Sequence, residues 1–163
     1  MKLITSVLLL FVLTMAQANV IDELRSKFPY IEVEDIDDYL DELDPLNSAE
    51  AKVYKGALYM LKSKNAGMPI KKYKFFKTGK KLINAACNEK PNSIEIRYIR
   101  LVFQHQIPAF LGYNSNKEED MTLFLKNYED CVLKPGTKLR FVKNMLQLEN
   151  LAPKHQQQLK LLL

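Results

Sequence analysis

The sequence has little of what most enzyme sites are built from. Only two histidines are present among its 163 residues, and neither lies at a zinc-binding spacing or beside a nucleophile motif. A glycine-rich phosphate loop and the Gly-x-Ser-x-Gly elbow are both missing. These absences argue against an enzyme without excluding one, and the sequence suggests neither a cofactor nor a metal ion.

Glycine and proline are also scarce, with five and seven residues, and the alternation of apolar and polar residues that is typical of strands is nearly absent. Apolar residues instead recur at spacings of three and four, which predicts amphipathic helices. The connections between them are short, so we expect an all-α domain. About seven helices are predicted, near residues 20–28, 36–43, 49–64, 70–88, 94–106, 118–131 and 139–151, and an eighth after Pro153 is left open.

The first 18 residues predict a cleavable secretory signal peptide. Lys2 precedes an apolar stretch from Leu3 to Met15, and Ala16-Gln17-Ala18 offers the small-x-small pattern of a cleavage site. The apolar stretch is shorter than the roughly 20 residues of a transmembrane helix and has no basic stop-transfer flank. We therefore expect export to a bacterial periplasm or exterior, with a eukaryotic secretory route as the alternative. We expect no transmembrane segment in the mature chain.

Charge is divided unevenly along the rest of the chain. Residues 19–51 hold eleven acidic and two basic residues, whereas residues 52–163 hold 21 basic and eight acidic ones. We expect an acidic helical arm over 19–47, a helical core domain over 48–152 and a C-terminal tail over 153–163. The simplest role of the arm is to fold along the basic body. Its acidic run has no glycine and a helical apolar spacing, so it predicts a solvated helix face rather than a calcium loop.

Two cysteines are present, Cys87 and Cys131. In an oxidising compartment they could form a disulfide that closes a loop of about 44 residues, worth up to ~4 kcal/mol on the chain-entropy model. The alternative is two separate thiols packed as small apolar groups. The sequence favours neither.

A lysine-rich segment lies in the fourth predicted helix. Its aromatic residues are expected on the buried side, where they cannot stack on bases, and export separates the chain from nucleic acid, so we expect no nucleic-acid partner. A solvated lysine face is the simplest interpretation, and attachment to anionic lipid or polysaccharide is the functional one. The candidate residues are Lys71, Lys72, Lys74, Lys77, Lys80 and Lys81.

A second candidate site lies in the fifth predicted helix. Arg97, Arg100 and Gln104 follow each other at i, i+3 and i+7, so one stripe carries two guanidinium groups and an amide. Guanidinium groups bind carboxylate or phosphate in ligand grooves, but they also form structural salt bridges, here with the acidic arm among others. The loop that follows is unusually apolar, and its Phe110, Leu111 and Tyr113 either pack beneath the helices or form an exposed contact. Tyr113 is added to the candidate binding residues.

Residues 49–92 resemble a tetratricopeptide helical hairpin. Gly56 and Tyr59 keep the spacing of its first helix, and Gly79, Ala86 and Pro91 that of its second helix and end. About 11 extra residues separate the two glycines compared with the repeat, and no second copy follows, so an irregular helical bundle is the alternative. The resemblance implies a helical groove. Our leading hypothesis is an exported, non-catalytic binding or scaffold protein of the cell envelope that offers this groove to a peptide or protein.

The signal peptide gives the first testable prediction. We expect the exported form to begin at Asn19, as read by N-terminal sequencing and intact mass. Ala18→Phe should block processing, because the cleavage site needs a small side chain there. A secreted chain that still begins at Met1 would contradict this prediction.

Overall fold

The computed structural model describes residues 20–163, and the predicted signal peptide therefore lies outside the described residues. Over this range the protein is all-α, as predicted, and contains no strand. A short 3-10 turn, Ala109–Leu111, follows the fifth helix. The helices are α1 (20–27), α2 (Ile36–Leu43), α3 (Ala49–Asn65), α4 (Pro69–Glu89), α5 (Ile94–Gln106), α6 (Lys117–Asn127), α7 (Pro135–Leu146) and α8 (Pro153–Lys160).

The helix starts follow two kinds of local signal. Ser48 and Ser93 cap α3 and α5, each accepting a hydrogen bond from the backbone N–H three residues later. Helices α4, α7 and α8 instead begin with a proline in the first turn. The predicted bounds of α7, 139–151, are wrong for this reason, because Pro135 starts the helix and Leu146 ends it.

The core is a single apolar cluster around α5. Every residue of α5 from Ile94 to Gln104 is buried. The predicted acidic arm contributes to this core, since Phe28 packs its ring against Tyr98 and Phe103 with centroids 5.7 and 5.8 Å apart. The predicted C-terminal tail contributes Leu159. The ends of the described chain thus pack into the same core as its middle.

Helices α3 and α4 form an antiparallel pair that is in contact at two glycines. A Cβ atom added to Gly79 would lie 2.7 Å from the carbonyl oxygen of Gly56, and one added to Gly56 would lie 2.7 Å from the side chain of Ile83. The predicted approach of two helices at small residues is therefore present. The tetratricopeptide resemblance itself stays a prediction, because a single helical hairpin is common to many all-α folds.

The glycine contact predicts opposite effects for two alanine substitutions. Gly79→Ala should lower the free energy of unfolding by about 1–3 kcal/mol, because its methyl group meets a backbone oxygen that cannot move alone. Gly136→Ala in α7 meets nothing within 4 Å and should be neutral or stabilising by up to ~1 kcal/mol. Urea unfolding followed by circular dichroism measures both, and equal effects would contradict the close contact.

Candidate binding groove

The predicted arginine stripe is buried and bonded within the protein. Arg100 forms a bidentate pair with the fully buried carboxylate of Asp120, with Nε–Oδ2 and Nη2–Oδ1 distances of 2.7 and 2.6 Å. Arg97 donates to the same carboxylate at 2.7 Å and to the carbonyl of Pro91 at 2.8 Å. Gln104 donates its amide to Asp120 at 3.1 Å. Asp120 is not among the predicted site residues, because nothing in the sequence shows that α6 packs beside α5.

This arrangement corresponds to the salt-bridge alternative rather than to an open ligand site. The partners come from α6 and not from the acidic arm, with Glu119 adding a contact to Arg97 at 3.2 Å. Asp120 lies in the first turn of α6, where the helix dipole favours a negative charge. Binding of an outside anion would require these bonds to break, so the stripe is better described as part of the core.

Tyr113 is also buried rather than open to a ligand. Its ring packs edge-on against Phe76 with centroids 6.1 Å apart, and its hydroxyl makes no hydrogen bond with the described residues. Burial raises the pKa of Tyr113 well above that of an exposed tyrosine. Phe110 from the same loop is 86% exposed. The apolar loop therefore does both of the things considered for it: Tyr113 packs inward while Phe110 faces out.

A second buried ionic cluster connects α1, α3 and α5. The carboxylate of Glu95 accepts hydrogen bonds from Arg25 at 2.6 and 3.0 Å and from the hydroxyl of Tyr54 at 2.7 Å. Burial acts to lower the pKa of Arg25, but its bonds to Glu95 outweigh this and hold the pKa above its usual value. The acidic arm thus contributes one of its two basic residues to the core, which its overall charge gave no reason to expect.

The two cysteines are free thiols in the structure. Cys87 is buried in α4, and burial raises the pKa of its thiol to about 11, so it is neutral at physiological pH. Cys131 is half-buried and follows α6. Of the two alternatives considered, separate thiols describe this structure.

A cavity lies between α3, the N-terminal half of α4 and the C-terminal end of α5. Its volume is about 840 Å³, within the range of ligand-binding clefts. Met60, Phe76, Phe103 and Leu148 line its inner wall, and Tyr73 and Phe110 lie at its mouth, 60% and 86% exposed. We call this cavity the groove. Of the predicted site residues, the groove includes only Lys72.

Two polar side chains of the groove bond to backbone carbonyls. Ser63 donates its hydroxyl to the carbonyl of Lys72 at 2.8 Å. The Nδ1 atom of His105 lies 3.1 Å from the carbonyl of Glu149, so it carries the proton there. Burial lowers the pKa of His105, which keeps the ring neutral at pH 7. The surface left for a ligand combines apolar side chains with two glutamines, with Glu149 as an anion and with Lys64 and Lys72 as the cations.

The lysine-rich segment lies on the outside of α4, and its aromatic residues are only partly buried as predicted. Phe76 is in the core and Phe75 stacks on Tyr59, but Tyr73 is exposed. Lys80 donates to the carbonyl of Gly112 at 3.0 Å. The other candidate lysines are exposed: Lys71, Lys72, Lys74, Lys77 and Lys81.

Comparison of the chain with models of known protein families, with curated proteins and with solved structures finds no match in any of the three. Among residues 20–163, no group of three or more histidine, cysteine or acidic side chains is placed to hold a metal ion. None of the helices in this range is both long and apolar enough to cross a membrane.

The buried carboxylate of Asp120 gives a stability prediction. Asp120→Asn keeps the shape of the side chain but leaves two buried guanidinium groups with only the half-exposed Glu119 as a charged partner, so it should cost roughly 3–5 kcal/mol. Glu119→Gln removes the neighbouring, half-exposed carboxylate and should cost less than about 1 kcal/mol. Chemical unfolding of both variants measures the difference. Similar losses of unfolding free energy in the two variants would show that the buried carboxylate of Asp120 stabilises the fold no more than the half-exposed one of Glu119.

Proposed function

We propose that this chain is an exported, non-catalytic binding protein of the cell envelope that holds an apolar peptide segment of a partner protein in the groove. The observation that carries the proposal is the position of Tyr73 and Phe110. Both are large, exposed and apolar, and both line the mouth of a cavity of about 840 Å³. Exposed aromatic residues beside a cleft are typical of recognition sites.

The chemistry of the groove favours a peptide with apolar and acidic residues. Ser63 and His105 bond to backbone carbonyls, which leaves two glutamines and the hydroxyl of Tyr73 as the neutral polar groups of the lining. Lys64 and Lys72 outnumber its one acidic residue, Glu149, so the net charge of the lining is positive. An amphipathic segment could place apolar side chains against Tyr73 and Phe110 and carboxylates beside these lysines.

The groove replaces the arginine stripe as the location of the predicted binding site. The leading hypothesis placed Arg97 and Arg100 at the partner surface, but both side chains bond to Asp120 in the core. Export and the tetratricopeptide-like character of α3 and α4 remain parts of the proposal. The observed packing of the α3 and α4 pair beside α5 supports it, since stacked helix pairs form concave binding surfaces.

Selection from a random peptide display library tests the proposal. Peptides enriched on the wild-type protein should contain apolar residues near acidic ones, and Phe110→Ala and Tyr73→Ala should each weaken their binding by about tenfold, since each removes a large apolar contact. Isothermal titration with the selected peptides measures the change.

Val132→Ala is the matched control, because Val132 is fully exposed and lies outside the groove. It should leave binding unchanged. Peptides that bind the three variants and the wild type equally well would refute the groove as the binding site. A small apolar molecule that binds there in place of every peptide would refute the peptide as its ligand.

A further inference from the structure

The helix pair α3 and α4 is acidic only at Glu50 and Glu89, near the end of the pair where α3 begins and α4 ends. Residues 51–88 contain ten lysines and no aspartate or glutamate. On α3, Lys52, Lys55 and Lys62 pair with Glu89, Asp44 and Asp37, which all lie outside this stretch. The charge of α3 is therefore largely compensated by the rest of the protein, whereas that of α4 has to be considered separately.

Five lysines of α4 are exposed and form no ion pair with the described residues, and four of them lie outside the groove: Lys71, Lys74, Lys77 and Lys81. We call them the lysine face. Residues 1–19 contain no aspartate or glutamate that could neutralise them. Ile70, Lys74, Lys77 and Lys81 follow each other at spacings of four, three and four, so they lie in one stripe along the helix.

The start of α4 lacks the acidic residues and the capping side chain that usually stabilise a helix N-terminus. Its first turn contains no acidic residue and its N-cap, Met68, makes no side-chain capping bond. Lys71 and Lys72 instead place positive charge near the positive end of the helix dipole, which is unfavourable in water. A layer of negative charge in front of this helix end would reverse the sign of that interaction.

Two large apolar side chains are exposed at the same end. Met68 is 56% exposed and Ile70 is 79% exposed. Neither lines the groove, so the peptide proposed above does not cover them. A polyanionic sugar has no apolar interior for these side chains, whereas a lipid bilayer takes apolar side chains at its interface and attracts lysines with its anionic headgroups.

We propose that the N-terminal half of α4 docks on a bilayer containing anionic lipids, with Met68 and Ile70 entering the headgroup region and the lysine face contacting lipid phosphates. Both kinds of residue are needed, since charge brings the helix to the surface and apolar contact holds it there. This docking does not depend on peptide binding in the groove. Of the two anionic partners considered for the lysine-rich segment, lipid and polysaccharide, the proposal selects lipid.

Vesicle co-sedimentation of the chain without residues 1–18 tests the charge. Vesicles of phosphatidylglycerol and phosphatidylcholine should bind the protein, and vesicles of phosphatidylcholine alone should not. The triple variant Lys74→Gln, Lys77→Gln, Lys81→Gln should bind on the order of 100-fold more weakly, at about fivefold for each lysine. Raising the salt from about 0.1 to about 0.5 M should also weaken binding.

A matched control separates the lysine face from net charge. Lys126, Lys143 and Lys154 are exposed, form no ion pair with the described residues and lie on α6, α7 and α8. Their triple change to Gln removes the same charge and should lower binding much less, by less than about tenfold. Equal losses in the two triple variants would overturn the proposal, because attraction would then depend on total charge alone.

A tryptophan probe tests insertion, since the chain has no tryptophan of its own. The emission of Ile70→Trp should shift to the blue when anionic vesicles are added, and that of Val132→Trp should not, because Val132 is exposed beside the opposite end of α4. Ile70→Ser should weaken vesicle binding. An unshifted emission at position 70 would overturn the proposal, because the side chain would not enter the bilayer. Tighter binding to dextran sulfate than to vesicles, with no effect of Ile70→Ser, would overturn it in favour of a polysaccharide.

Discussion

The burial of α5 with its charged side chains is the constraint on which the rest of the structure depends. A buried charge is tolerated only when a partner neutralises it and satisfies its hydrogen bonds. Glu95 therefore requires Arg25 from α1 and Tyr54 from α3, and Arg97 and Arg100 require Asp120 from α6. These directional bonds fix which helices surround α5, whereas apolar contacts alone would permit several arrangements.

The same constraint explains how charge is distributed over the surface. Asp120 and Glu95 are buried and pair with arginines, and other carboxylates pair with lysines of α3. Residues 51–88 have no acidic residue, and the one carboxylate of α4, Glu89 at its last position, pairs with Lys52 of α3. The lysines on the outer side of α4 are therefore not neutralised by their own helix. The acidic arm does fold onto the body, but it reaches α3 and α5 and leaves the lysines of α4 exposed.

The sequence predicts the positions of the helices well and the side-chain contacts between different helices poorly. Helical spacing and serine caps locate α3 and α5, and the apolar loop after α5 points to Phe110, which proves to line the groove. The start of α7 is mispredicted because proline both ends helices and starts them. The fate of Arg97 and Arg100 depends on Asp120, about 20 residues away, and spacing along one helix carries no information about such a partner.

The first two turns of α4 contribute little to the core. The buried residues of this helix begin at Phe76, so the first seven residues, 69–75, give no buried side chain to the core. They are held against α3 by the bond from Ser63 to the carbonyl of Lys72 and by the stacking of Phe75 on Tyr59. A helix extended by two turns without burial gains little stability from packing. It does gain two surfaces, one facing the groove through Tyr73 and one carrying Ile70 and the first two lysines of the lysine face, and a binding role accounts for both.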